Sequence, residues 1–81
     1  MSTFRRGDFV LLNKATVTTV GMVVRVHPEK PQSIEVWWYE RTRPDGSAQI
    51  VDMVNNPSEL RLATPNDSIP DAMHRLRTEN L

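Results

Sequence analysis

The clearest pattern of apolar and polar positions lies in residues 34–40, where β-branched and aromatic residues dominate. Such a pattern is typical of a β-strand, whose successive side chains point to opposite faces of the sheet. The side chains predicted to face a core are Ile34, Val36 and Trp38. Glu35, Trp37 and Tyr39 are then expected on the opposite face, which makes this second face the first place to look for a function.

Four more strands follow from similar patterns. The predicted strands are residues 9–12, 21–27, 34–40, 48–54 and 61–63. Two prolines in the connection 28–33 keep it out of any ladder, so the second and third strands form a hairpin. The Pro44-Asp45-Gly46 stretch predicts the next turn. Residues 57–60 read as one helical turn with proline in its first turn and an asparagine ahead of it as a cap.

The last part of the chain, residues 64–81, reads as a tail that contains a short helix from about residue 69. Apolar side chains recur at helical spacing at Ile69, Met73 and Leu76. The helix is entered through Pro70, and Asp67 or Ser68 is the predicted cap. A helix of this length is marginal alone, so the tail docks on the sheet, pairs with a partner or frays.

Four stretches together resemble the SH3-like small-barrel superfamily, in the Tudor- and KOW-type form found among small bacteriophage-encoded proteins. These stretches are Gly7-Asp8-Phe9-Val10, Gly21-Met22-Val23-Val24-Arg25-Val26, Ile34-Glu35-Val36-Trp37-Trp38 and Pro57-Ser58-Glu59-Leu60-Arg61-Leu62. The resemblance implies an all-β fold, a five-stranded barrel over residues 4–63 followed by the tail. It implies no particular activity, because this barrel carries many unrelated functions.

Composition narrows the functional classes. The chain has 81 residues, enough for one domain, and its ten basic and ten acidic side chains give no net charge. It has no cysteine and two histidines, so no metal site, cofactor or cysteine nucleophile is expected. No apolar run reaches the roughly 20 residues of a membrane span, and the start resembles no signal peptide. We expect a cytoplasmic protein without membrane contact and without enzymatic activity.

Trp37 and Tyr39 are the leading candidates for a binding site. An exposed tryptophan and tyrosine on one sheet face are typical of protein–protein contacts, and such a face can also pair with a second copy. Further apolar positions remain once one core face is filled: Phe9, Leu11, Val51 and Met53. The sequence therefore predicts a binding or assembly module, with a protein partner or a homo-oligomer.

Single-stranded nucleic acid is the alternative partner. Arg41 and Arg43 follow the two aromatic residues in sequence, and other basic side chains could lie near the same rim. These are Arg5, Arg6, Lys14 and Arg25. Exposed rings stack on bases while arginines hold phosphates. Glu35 and Glu40 oppose this interpretation, and ordinary solvated ion pairs would also account for the arginines.

The sequence also resembles two narrower groups of small barrels in part. A Tudor-type cage for a methylated cation needs several rings, and Trp37, Tyr39 and Phe9 could supply them. The stretch Ser47-Ala48-Gln49-Ile50 resembles the Ser-x-Gln-Ile stretch of type II dihydrofolate reductases, whose barrel assembles a shared pore. Val51 and Leu12 depart from that family's tyrosine and lysine, so reductase activity is a remote alternative.

Overall fold

A computed structural model of the chain describes residues 4–14, 16, 18–29 and 33–81. These residues form five strands, one 3₁₀ turn and one helix. The strands are β1 (Phe9–Leu12), β2 (Val20–His27), β3 (Ser33–Thr42), β4 (Ala48–Asn55) and β5 (Leu60–Leu62); the helix is α1 (Asp71–Asn80). The predicted order of elements is confirmed, although β3 begins one residue earlier and ends two residues later than expected, and β5 lies one residue earlier. Of the predicted proline-rich connection, residues 30–32 lie outside the described part.

The sheet is open. Its order is β4-β3-β2-β1-β5, and all its neighbouring strands are antiparallel. The prediction of a barrel is therefore wrong, since no ladder among the described residues joins β4 to β5 and the sheet keeps two edges. Closing the sheet into a barrel would require a continuous ladder between β4 and β5. Because β5 has only three residues, it could form few hydrogen bonds with β4.

One face of the sheet, the Trp38 face, carries the predicted core. Ile34, Val36 and Trp38 are all buried, which confirms the alternation in β3. Their cluster, called the Trp38 cluster, consists of Val10, Val23, Ile34, Val36, Trp38 and Leu60. Gly21 pairs with Trp38 across β2 and β3, and a Cβ there would lie 2.5 Å from Val36 Cγ1 and 2.7 Å from Trp38 Cε3. The large indole fits because position 21 has no side chain.

The 3₁₀ turn Pro57–Glu59 brings the chain from β4 into β5. Asn56 caps it as predicted: the Ser58 amide donates to Asn56 Oδ1 over 3.2 Å, and the Asn56 amide donates to Glu59 Oε1 over 2.8 Å. This reciprocal pair satisfies backbone donors that the start of a turn leaves free. Leu60 follows directly and is buried in the Trp38 cluster.

The opposite face, called the helix face, is covered by α1. Its cluster, the helix-face cluster, consists of Phe9, Val20, Met22, Ala48, Ala72 and Met73. Met73 and Leu76 of α1 pack into or against this cluster, which confirms these two positions of the predicted apolar stripe. The helix begins at Asp71, two residues later than predicted, so Ile69 reaches the cluster from the chain before the helix. Of the three possible fates of the tail, docking on the chain's own sheet is the one observed. The described helix is not long and apolar enough to cross a membrane.

The helix cap differs from the prediction. Pro70 occupies the cap position, and no side chain in the described part of the chain caps α1. The Asp67 carboxylate instead accepts hydrogen bonds from the Thr64 amide at 2.8 Å and from two Arg61 nitrogens at 3.0 and 3.1 Å. Arg61 lies on β5, so this bidentate contact fixes the turn that directs the chain towards α1.

Three further contacts hold α1 and Leu81 against the rest of the chain. At its carboxyl end, Arg6 donates to the Asn80 carbonyl over 2.9 Å, and the Leu81 side chain lies against Gly7, whose φ of +95° suits glycine. Near the middle of the helix, Arg75 donates to the Asp45 carbonyl in the β3–β4 turn over 3.1 Å. The helix is therefore attached both at its carboxyl end and near its middle.

Candidate functional site

The two predicted aromatic site residues lie beneath the tail. Trp37 pairs with Met22 and Asp52, and Tyr39 pairs with Ile50, so both rings project from the helix face. Both are half-buried and pack against the helix-face cluster. The Tyr39 hydroxyl shares a hydrogen bond of 2.7 Å with Thr42 Oγ1. The expected face is present, but α1 covers much of it.

Phe9 is buried on the same face. The His74 ring of α1 meets it edge-on, with centroids 5.2 Å apart and planes at 84°. The Arg77 guanidinium carbon lies 4.8 Å from the ring centroid, within the range of a cation–π contact. Both contacts come from the helix, so the chain's own residues already occupy the positions that a ligand of Phe9 would need.

The three predicted arginines do not form one basic surface. Arg25 pairs with Glu35 on β3, whereas Arg41 lies six positions further along β3, roughly 20 Å away at strand spacing. Arg41 Nε donates to Gln49 Oε1 over 3.0 Å, and Arg43 donates to Ser47 Oγ over 3.3 Å. Arg41 and Arg43 thus bind within their own hairpin.

A groove of about 450 Å³ opens beside Trp37 at the carboxyl end of α1. Its polar lining consists of Arg6, Arg25, Glu35 and Asn80, and Leu81 closes one side. Neither Arg25 nor Glu35 makes a side-chain hydrogen bond or ion pair with any described residue. The groove therefore combines one ring surface with two guanidinium groups and one carboxylate.

Three of the four exposed large apolar side chains in the described strands lie on β4. Val51, Met53 and Val54 are 44%, 50% and 62% exposed, and Asp52 between them is exposed as well. The sequence singled out Val51 and Met53 as surplus apolar positions but did not place them at an edge. That placement depends on β5 pairing with β1, so only the topology reveals it.

Carboxylates elsewhere are engaged in turns. Hydrogen bonds from the Ser47 side chain and amide lower the pKa of Asp45, in the β3–β4 turn. The Arg61 guanidinium and the Thr64 amide hold the pKa of Asp67 far below its usual range. Among the described residues, no group of three or more histidine or carboxylate side chains is placed to hold a metal ion.

The residues that resemble the reductase stretch are engaged within the β3–β4 hairpin. Gln49 accepts from Arg41 and donates to Glu40 Oε2 over 3.2 Å, and the Ser47 hydroxyl donates to Asp45 Oδ1 over 2.6 Å. These contacts use the amide and hydroxyl groups that the resemblance would assign to a ligand.

Comparison with protein-family models, with curated proteins and with solved structures gives no match to this chain.

Proposed function

We propose that this protein is a non-enzymatic binding or assembly module that takes up an extended protein segment along β4. One observation carries the proposal: β4 is an eight-residue edge strand with three exposed apolar side chains. The outer backbone groups of an edge strand can hydrogen bond to an added strand, and the exposed side chains give that strand apolar contacts.

The composition of β4 supports this assignment. Proteins commonly protect an edge strand with lysine, proline, a bulge or a very short length. β4 contains no proline or basic residue, and Asp52 is its only charged side chain. The other edge, β5, is three residues long and carries Arg61. The β5 edge is thus protected by its short length, whereas the β4 edge is open to pairing.

The aromatic residues of the helix face pack against the chain's own tail, so they are less available to bind a partner. α1 already covers Phe9 and packs beside Trp37 and Tyr39. A partner that used this face would have to displace the helix. We therefore assign the binding role to the edge strand β4 instead of the aromatic residues. The burial of the aromatic side chains helps to hold the tail on the sheet.

We also propose that the chain is an open variant of the SH3-like small barrels. Five antiparallel strands, the long β2–β3 hairpin and the 3₁₀ turn Pro57–Glu59 before β5 support this assignment. The absence of a β4–β5 ladder among the described residues distinguishes it from a closed barrel.

A fluorescent peptide with the sequence of residues 48–55 is a direct probe of the edge. Anisotropy should show it binding to the wild-type protein, and the double variant Val51→Lys/Met53→Lys should weaken binding at least about tenfold through edge charge. Leu62→Lys is the matched control, since Leu62 on β5 is 45% exposed and Val51 is 44% exposed. No binding to wild type, or equal weakening by the control, would contradict the proposal.

The groove beside Trp37 favours a second candidate, single-stranded nucleic acid. A half-buried ring next to Arg6 and Arg25 allows one base to stack and a phosphate to bind. Oligothymidylate should then quench tryptophan fluorescence at low salt, and Arg25→Gln should reduce the effect. Unchanged fluorescence at low salt would remove this candidate.

A further inference from the structure

We infer that the segment taken up by β4 is the β4 strand of a second copy, paired antiparallel about a two-fold axis at Asp52. This inference rests on the proposed function, because it requires β4 to accept an added strand. It identifies the partner of β4 as the same strand of a second copy and specifies which residues pair.

The side chains of β4 form a chemical palindrome around Asp52. The order is Gln49-Ile50-Val51-Asp52-Met53-Val54-Asn55: amide, two apolar residues, carboxylate, two apolar residues, amide. When a strand pairs antiparallel with its own copy, each residue lies opposite the residue that is equally far from the axis on the other side. Such a palindrome therefore aligns apolar with apolar and amide with amide.

The two-fold axis also fixes how the faces combine. Directly paired residues in an antiparallel ladder point to the same side of the sheet. Asp52 shares the helix face with Trp37, its neighbour on β3. Both copies then place α1 on the same side of one continuous sheet.

The register at Asp52 gives the best side-chain matching. It sets Val51 opposite Met53 of the second copy and Ile50 opposite Val54 of the second copy, and symmetry doubles each pair. Shifting the axis to Val51 places Ile50 opposite Asp52 and Gln49 opposite Met53. Shifting it to Met53 places Val51 opposite Asn55 and Asp52 opposite Val54. Both shifts exchange apolar pairs for mixed ones.

The cost of the preferred register is one like-charge pair at the axis. A cross-strand pair changes an equilibrium constant by a factor of roughly 1.4 to 5, so four favourable pairs outweigh one unfavourable pair. Asp52 is exposed, and solvent and salt screen the repulsion further. The Asp52 carboxylate therefore weakens the dimer without preventing it, and Asp52→Asn should tighten dimerisation by about two- to fivefold.

Single-cysteine variants can measure the register, because the chain contains no cysteine of its own. Directly opposed Cβ atoms lie about 4.5–5.5 Å apart and diagonal ones about 7–8 Å, whereas a disulfide needs about 3.5–4.5 Å. Under mild oxidation, Asp52→Cys should form a covalent dimer rapidly. Val51→Cys and Met53→Cys should cross-link efficiently only when mixed, and Leu62→Cys should remain monomeric.

Sedimentation velocity on the full chain completes the test. Wild type should show concentration-dependent dimerisation, tightened by Asp52→Asn and abolished by Val51→Lys/Met53→Lys. Val51→Cys alone cross-linking as fast as Asp52→Cys would overturn the register. A wild-type monomer at all concentrations that still binds the 48–55 peptide would overturn the homodimer and leave the proposed function intact. A monomer that does not bind the peptide would overturn both.

Discussion

The two hydrophobic clusters differ in where their residues come from. Every member of the Trp38 cluster belongs to the sheet, and Gly21 and Asn55 complete the fit around the indole. The helix-face cluster takes two of its six members, Ala72 and Met73, from α1. Adjacent tryptophans therefore depend on different parts of the chain: Trp38 is buried by the sheet, and Trp37 is half-buried by the tail.

The difference implies two levels of stability. α1 has ten residues and no side-chain cap, so it depends on its contacts with the sheet. The Trp38 cluster does not need the helix to stay buried. Elements with few buried contacts open at lower free energy than the core, and α1 is expected to be such an element.

The largest effect is expected from Trp38→Ala. Removing the indole leaves a large cavity and frees Asn55 Oδ1 from a 3.0 Å hydrogen bond, so the free energy of unfolding should fall by about 3–5 kcal/mol. Urea denaturation followed by circular dichroism measures this loss. Trp37→Ala is the matched control and should cost clearly less. If Trp37→Ala lowered the free energy of unfolding as much as Trp38→Ala or more, the proposed difference between the two clusters would be wrong.

Met73→Ala should have an intermediate and more local effect. Met73 is fully buried in the helix-face cluster, and its truncation should cost about 2–4 kcal/mol. Hydrogen exchange should show α1 amides losing protection first, while β2 and β3 keep theirs. Thr78→Ala, at an exposed position of the same helix, serves as the control. Equal loss of protection in sheet and helix would show that both clusters unfold as one unit.

The smallest effect is expected from Asp67→Asn, which tests how the sheet holds the tail. Contacts with Arg61 and Thr64 lower the pKa of Asp67 from its ordinary value of 3.8. The carboxylate therefore stabilises the fold fully above about pH 4, and this contribution is lost as the pH falls through the lowered pKa. The variant should be less stable than wild type at pH 7, and the difference should shrink on acidification.

Denaturation curves at several pH values measure that difference. Asn66→Ala, which leaves the Arg61–Asp67 contact in place, should keep the pH dependence of wild type. A stability difference for Asp67→Asn that does not change with pH would mean that the charge of Asp67 has no part in holding the turn.

Local patterns predicted the elements well. The alternation in β3 identified Ile34, Val36 and Trp38 as core, because a strand's two faces follow directly from the sequence period. The spacing of Met73 and Leu76 likewise identified the helix face, although Ile69, placed on the same stripe, lies before the helix. Asn56 was recognisable as a cap because its hydrogen bonds reach only two or three residues along the chain.

Long-range features were not predictable in the same way. Whether β4 meets β5 depends on the curvature and length of the whole sheet, so the barrel prediction was wrong. The covering of Trp37 depends on where a distant helix docks. Asp67 looked like a helix cap, but Arg61 and Thr64 compete for the same carboxylate. The candidate edge could be assigned only once these tertiary contacts were known.

The pairing of β1 with β5 has a consequence for folding kinetics. Val10 pairs with Leu62 although they lie roughly 50 residues apart in the chain, whereas the β2–β3 and β3–β4 ladders are hairpins. Closing the longer loop costs more chain entropy, so β5 is expected to join the sheet after the rate-limiting step. Leu60→Ala should then accelerate unfolding and leave refolding nearly unchanged in a stopped-flow experiment. Until β5 arrives, both edges of the growing sheet are unpaired, and the newly synthesised chain is then most prone to aggregation.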